Sequence, residues 1–158
     1  MHFAKGIGLL LLFFCGVTTG LLLARFEQRR CKQAEGFIAL VRHVRLQIDC
    51  FATPVERILA SLDASIRADC ALPSRADSFP ALLASTELLV PEELRDLLIG
   101  FSSDLGSSYR EEQLRCCDYY LSRMTPYCER IRAELSRRVR LWLLLPGALS
   151  AALCLMLI

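Results

Sequence analysis

The chain lacks the short motifs that announce common chemistry. It contains no G-x-x-x-x-G-K-[ST], G-x-G-x-x-G, G-x-S-x-G or H-E-x-x-H, which argues against a phosphate-cradling loop, a nucleophile elbow and a zincin helix. Histidine is scarce, with two in 158 residues. His2 is terminal. His43 falls off the apolar face of an amphipathic segment, so a surface position is expected, and no paired nucleophile points to catalysis. A strong basic excess is missing too. The 19 Lys and Arg stand against 17 Asp and Glu, a net of +2, which excludes a nucleic-acid partner. With 54% hydrophobic and 23% charged residues, the composition excludes overall disorder. The eight cysteines form no C-x-x-C pair and have no nearby His pattern, so neither a metal site nor a cofactor is expected. Small core filler is the plain reading of them. The vicinal pair Cys116-Cys117 leaves a redox-sensing or regulatory membrane protein as the alternative.

Charge is absent from two long stretches. Gly6 to Ala24 is a run of 19 uncharged residues and Leu141 to Ile158 a run of 18. A helix rises about 1.5 Å per residue and roughly 20 apolar residues cross a hydrocarbon core, so both runs are expected to span a membrane. The second carries Pro146-Gly147, where a kink is expected. The length of the first run and the lack of a small-x-small site favour a retained anchor over a cleaved signal peptide. Seven cations flank the inner ends of the runs: Arg25, Arg29, Arg30 and Lys32 after the first, Arg137, Arg138 and Arg140 before the second. The positive-inside rule then places residues 25–140 in the cytoplasm, where disulfides are not expected. The same cations suit anionic headgroups. Between Gln33 and Ser136 there are 11 Arg and 16 Asp and Glu, so the near-neutral total conceals basic collars around an acidic middle.

That middle reads as helix. Phe37, Leu40, Val41, Val44, Ile48 and Phe51 line one helical face. Thr53-Pro54-Val55-Glu56 has the form of a capping box with Pro in the first turn, opening a helix with Val55, Ile58, Leu59, Leu62 and Ile66 on its apolar side. The first two helices are then antiparallel across a turn at Ala52-Thr53. Cys70 to Ser78 is the most loop-like stretch. Ser78-Phe79-Pro80 predicts a short helix to about Thr86. Pro91, with Glu92 and Glu93, predicts another, with Leu94, Leu97, Leu98 and Phe101 buried. Gly106 ends that helix, and Ser108 with Glu111 caps the next. Leu114, Cys117, Leu121, Met124, Cys128, Ile131 and Leu135 then form a heptad seam, an internal core face rather than a coiled-coil dimer, with Pro126 as a kink or break. The expected fold is all-α: an antiparallel helical bundle with N- and C-terminal transmembrane helices, divided as 1–24, 25–140 and 141–158.

The plan resembles the stage III sporulation protein AB family of endospore-forming bacteria over nearly the whole chain. The likeness rests on the N-terminal run with its collar, Thr53-Pro54 with Leu59 and Leu62, Leu97-Leu98-Ile99-Gly100-Phe101, and Leu105-Gly106-x-Ser108 with Gln113. The family places Asp after that Ser, where this chain has Tyr109; the helix-start role passes to Glu111 and Glu112. The resemblance implies a mother-cell membrane component of a channel complex formed during sporulation. Its cytoplasmic domain would look like those of type II secretion and type IV pilus platform proteins and would dock a cytoplasmic ATPase. It implies no enzymatic activity, no small-molecule substrate and an oligomeric assembly. The docking surface is expected at Glu92, Glu93 and Asp96, with Ser108 and Gln113 beside the turn at Leu105-Gly106.

Overall fold

The structure is a computed structural model. It describes the backbone of residues 2–51, 54–73, 78–105 and 109–157, and the side chains within them except at 2–7, 9, 10, 12, 13, 56, 136, 142, 143, 146, 150 and 153–157. Among the described residues the chain is all-α, as its patterning predicts. Six helices follow in order: α1 (His2–Phe51), α2 (Val55–Ala60), α3 (Ala64–Asp69), α4 (Phe79–Ala84), α5 (Glu92–Asp104) and α6 (Arg110–Leu157). Two compact units result. One is Met1–Arg29 with Arg132–Ile158, the other Arg30–Ile131.

In the Arg30–Ile131 unit, α1 is the central element. The expected face is buried at Phe37, Leu40, Val41, Val44 and Ile48. Cys31, Gln33, Ala34 and Ile38 are buried as well, so the buried surface is wider than one stripe. His43 is accordingly half-buried rather than on the surface. Phe51 is the exception on the predicted face, at 70% exposed. Arg110, the first residue of α6, reaches back to the carbonyls of Ile48 (3.2 Å) and Asp49, so α6 begins level with Asp49 and Phe51 projects past it. The Arg110 guanidinium thereby satisfies carbonyls in the last turns of α1.

The predicted helix from Val55 to Ile66 is split in two. Asp63 accepts the Ser65 amide (3.1 Å) and so starts α3 as a cap of its own. Pro54 stands at the N-cap of α2 rather than at its first helical residue. Thr53, the Glu56 side chain and the turn at residues 52–53 lie outside the described residues. Ile58, Leu59 and Leu62 are buried as expected. Gly36 lets α3 approach α1 closely: a Cβ there would meet Asp69 Cβ and Cys70 Sγ at 3.0 Å.

After α3 the chain reverses through a Schellman motif. Leu72 N–H donates to the Arg67 carbonyl (2.9 Å) and Ala71 N–H to Ala68 (3.1 Å). Ala71 takes the left-handed conformation (φ 57°) that glycine adopts without strain. Ser78 caps α4 through the Ala81 amide at 3.4 Å, and that helix stops at Ala84 with the Thr86 hydroxyl donating to Leu82 (2.6 Å).

Gln33 ties these connections to α1. It is 2% exposed. Its amide nitrogen donates to the Cys70 carbonyl (3.1 Å) and the Glu87 carbonyl (2.9 Å), and its oxygen accepts the Leu89 amide (2.8 Å). One buried side chain thus satisfies three backbone groups from two irregular segments.

α6 packs antiparallel to α1. Arg45 makes a forked pair with Asp118 (2.6 and 3.3 Å), about one turn along α1 and two along α6 from the Arg110–Asp49 contact. The seam is buried at Cys117, Met124 and Cys128, with Leu114, Leu121 and Ile131 packed beside the core. Tyr120 is buried too, so the line of closest contact is 117, 120, 124, 128. α6 runs unbroken through Pro126 and residues 146–147, so neither proline ends it. Gly106 and the Ser108–Glu111 box lie outside the described residues in part, at 106–108.

In the other unit, α1 and α6 meet at the Glu27–Arg138 pair (3.7 Å), and Arg138 also holds Glu134 (2.7 Å). Among the described residues no helix is long and apolar enough to cross a membrane. Many side chains of the two uncharged runs lie outside the described set, including Leu9, Leu10, Leu12 and Phe13.

Replacing Gln33 by Leu should leave two buried carbonyls and an amide without partners and lower stability by about 3 kcal/mol, read as a lower urea midpoint at unchanged slope. Ala71→Gly should act the other way and raise stability by about 1 kcal/mol, because it relieves the left-handed backbone.

Candidate functional site

The expected docking residues sit on α5 and at the start of α6. Glu92 and Glu93 occupy the first turn of α5, and Asp96 follows one turn later; all three are exposed. Leu94, Leu98 and Phe101 anchor the opposite face in the core. α5 has no side-chain cap, so Glu92 and Glu93 also complement the positive end of the helix dipole. Asp96 is beyond that first turn. With Glu92 four residues before it, it adds like-charge repulsion of a few tenths of a kcal/mol.

The Leu97–Phe101 segment is held by an aromatic file. Phe79 meets Phe101 edge-on (5.4 Å, 87°), Phe101 meets Tyr120 (5.6 Å, 68°), and Tyr120 meets Tyr119 (5.2 Å, 83°). Gly100 makes room for this, since a Cβ there would stand 2.8 Å from the Tyr120 hydroxyl. That hydroxyl donates to Asp104 Oδ2 (2.7 Å). Burial, then the Asp104 hydrogen bond, raises the Tyr120 phenol well above its ordinary range. The Tyr120–Asp104 bond joins α5 to α6 beside the end of α5 and escapes helical periodicity, which says nothing of polar partners 16 residues apart.

Leu105 continues from α5 in an extended conformation and donates its amide to Phe101 (3.0 Å). Ser108, like Gly106, lies outside the described residues. Gln113 is half-buried on the first turns of α6, where its amide donates to the Tyr109 carbonyl (3.0 Å). The Tyr109 side chain is 90% exposed. Glu111 and Glu112 stand in the first turn of α6, where their charge suits the helix dipole.

The seven collar cations are not equivalent. Lys32 pairs with Asp69 (2.9 Å) and Arg138 with Glu27 and Glu134. Arg30 is half-buried. Arg25, Arg29, Arg137 and Arg140 are exposed and make no ion pair among the described residues.

Vicinal Cys116-Cys117 does not form an activated thiol site. Cys117 is fully buried, and burial pushes its thiol up to about 12. Burial, then Asp104, also raises Cys116. Burial and Asp69 push Cys70 up to about 12. The thiolate is the nucleophile, so these groups are poor redox sensors at neutral pH. No disulfide joins the described cysteines. Among the described residues no cluster of His, Cys, Asp and Glu is placed to hold a metal ion.

No protein-family model, curated protein or solved structure matches the chain.

Cys70 and Cys117 stay protonated in the folded chain to about 12, whereas an unfolded thiol ionises near 9.0. Stability should therefore be flat below pH 9 and fall as pH rises from there towards 12, because only the unfolded state loses protons. Urea midpoints from pH about 8 to about 10.5 should show this fall, with a shallower slope in Cys70→Ala/Cys117→Ala.

Proposed function

We propose that this protein is a non-enzymatic, membrane-anchored assembly subunit whose central helical domain docks a cytoplasmic secretion-type ATPase. The observation that carries the reading is the acidic surface of α5. Glu92, Glu93 and Asp96 are solvent-exposed on a helix whose other face is locked into the core, a rigid presentation suited to a basic partner surface. The likeness of Leu97–Phe101, Leu105-Gly106-x-Ser108 and Gln113 to the stage III sporulation protein AB family supplies the biological setting. In that setting the chain belongs to an oligomeric channel complex of the mother-cell membrane.

Anchoring rests on the two uncharged runs. At 1.5 Å per residue they measure about 28 and 27 Å, close to the roughly 30 Å of a hydrocarbon core. Leu11, Phe14, Leu21 and Leu22 on α1, and Leu144, Leu145 and Leu149 on α6, expose apolar surface that water does not favour. The basic flanks orient residues 25–140 to the cytoplasm. The redox reading loses support from the raised thiols.

Reversal of all three acids, Glu92→Lys/Glu93→Lys/Asp96→Lys, should reduce co-purification of the secretion-type ATPase about tenfold or more at low salt. The Arg123→Glu variant, ten residues beyond Gln113 on α6, should leave it unchanged. Undiminished capture by the triple variant rules out this surface, and no capture by the unaltered protein rules out the platform reading.

A further inference from the structure

We infer that α1 and α6 together form a planar cationic belt for anionic phospholipid headgroups. This rests on the two-span reading above. The new element is the contact that brings the two flanks together. The stretches to Arg29 and from Arg132 both lead into the Arg30–Ile131 unit, and Glu27 meets Arg138 at 3.7 Å close to those ends. The two stretches therefore run antiparallel. Arg25 and Ala24 lie two and three residues from Glu27, and Arg140 and Leu141 two and three from Arg138, each on the side of its uncharged run. The last cation and the first uncharged residue of each helix are thus within about one turn of the contact.

A bilayer surface requires such a common plane. Independent spans need share only length and hydrophobicity. From Arg25 to Arg29 the belt is about 6 Å deep, comparable with the roughly 5–8 Å of a headgroup layer on one side of the hydrocarbon. Within it stand Arg25, Arg29, Arg137, Arg138 and Arg140 with Glu27, a net of +4. Arg138 takes Glu27 and, one turn further from the uncharged run, Glu134, which leaves Arg25, Arg29, Arg137 and Arg140 exposed without ion pairs among the described residues. On the hydrocarbon side Leu21 and Leu22 of α1, and Leu141, Leu144 and Leu145 of α6, are exposed within the next turns. Arginine is suited to this occupant, because its planar fork bonds two phosphate oxygens at once. The Glu27–Arg138–Glu134 network holds the two flanks side by side, while the four open arginines do the binding.

The chain has one tryptophan, Trp142, directly after the boundary in sequence, and it serves as the fluorescence donor. Full-length protein is reconstituted in vesicles carrying equal mole fractions of dansyl-labelled phosphatidylglycerol or phosphatidylcholine. Energy transfer to the anionic lipid should exceed transfer to the zwitterionic lipid about twofold at 0.1 M salt. The preference should vanish at about 1 M salt and in Arg25→Gln/Arg29→Gln/Arg137→Gln/Arg140→Gln, and persist in Arg115→Gln. Inorganic phosphate should weaken it no more than chloride at equal ionic strength; stronger competition by phosphate overturns the assignment to lipid. Equal transfer to both lipids, from protein that resists alkaline carbonate extraction, overturns the belt and leaves the spans standing. Extraction by carbonate overturns both.

Discussion

Gln33 is the side chain on which the arrangement of the central domain depends. The segments around Cys70 and from Glu87 to Leu89 have no helix of their own to satisfy their backbone groups. Water is the usual alternative, and burial removes it. One amide side chain replaces it by giving two hydrogens and accepting one. Because Gln33 is rigidly placed on α1, the loops are positioned relative to the central helix, and α4 and α5 are positioned by the loops. Leu or Met at this position would suit a hydrophobic interior and still leave the irregular segments without partners.

Around that centre, the polar contacts set the register and the apolar contacts provide the adhesion. Arg110 on the final carbonyls of α1, Arg45 on Asp118 and Arg138 on Glu27 occur where α1 and α6 face each other. Exposed pairs of this kind contribute little energy individually. Their value lies in favouring one antiparallel alignment over its neighbours. The core of Phe37, Phe101, Leu94, Leu98 and Met124 supplies the stabilisation, of order 1.5–3 kcal/mol for each large side chain.

Much of the helical plan was legible because it rests on local rules. Ser78 caps α4, the α5 stripe is buried at Leu94, Leu98 and Phe101, and the α6 seam faces the core. Failures occurred where local patterns compete. Asp63 offered a cap inside an apolar periodicity, and the cap prevailed because Leu62 is buried either way. Tyr120 lies on the flank of the seam beside Leu121, and it is the tertiary contact with Phe101 that buries it. Phe51 fits the apolar face by spacing, yet its partner helix starts too late to cover it. For the docking surface, Glu92 and Glu93 were visible as acids at a helix start. That Gly100 gives way to Tyr120, and that Asp104 receives its hydroxyl, was not.

By itself the sequence determined the all-α class, the two uncharged runs with their basic flanks, and the acidic middle, since composition and periodicity are properties of single segments. Only the tertiary structure decided what joins segments distant in the chain. It split the Val55–Ile66 helix, buried Gln33 as the common partner of three backbone groups, and shielded Cys70 and Cys117 from water until their thiols became inert. It also paired Glu27 with Arg138. Such relations depend on which helices lie side by side and at what register, and that is settled by packing and by pairwise contacts, not by the pattern along any one helix.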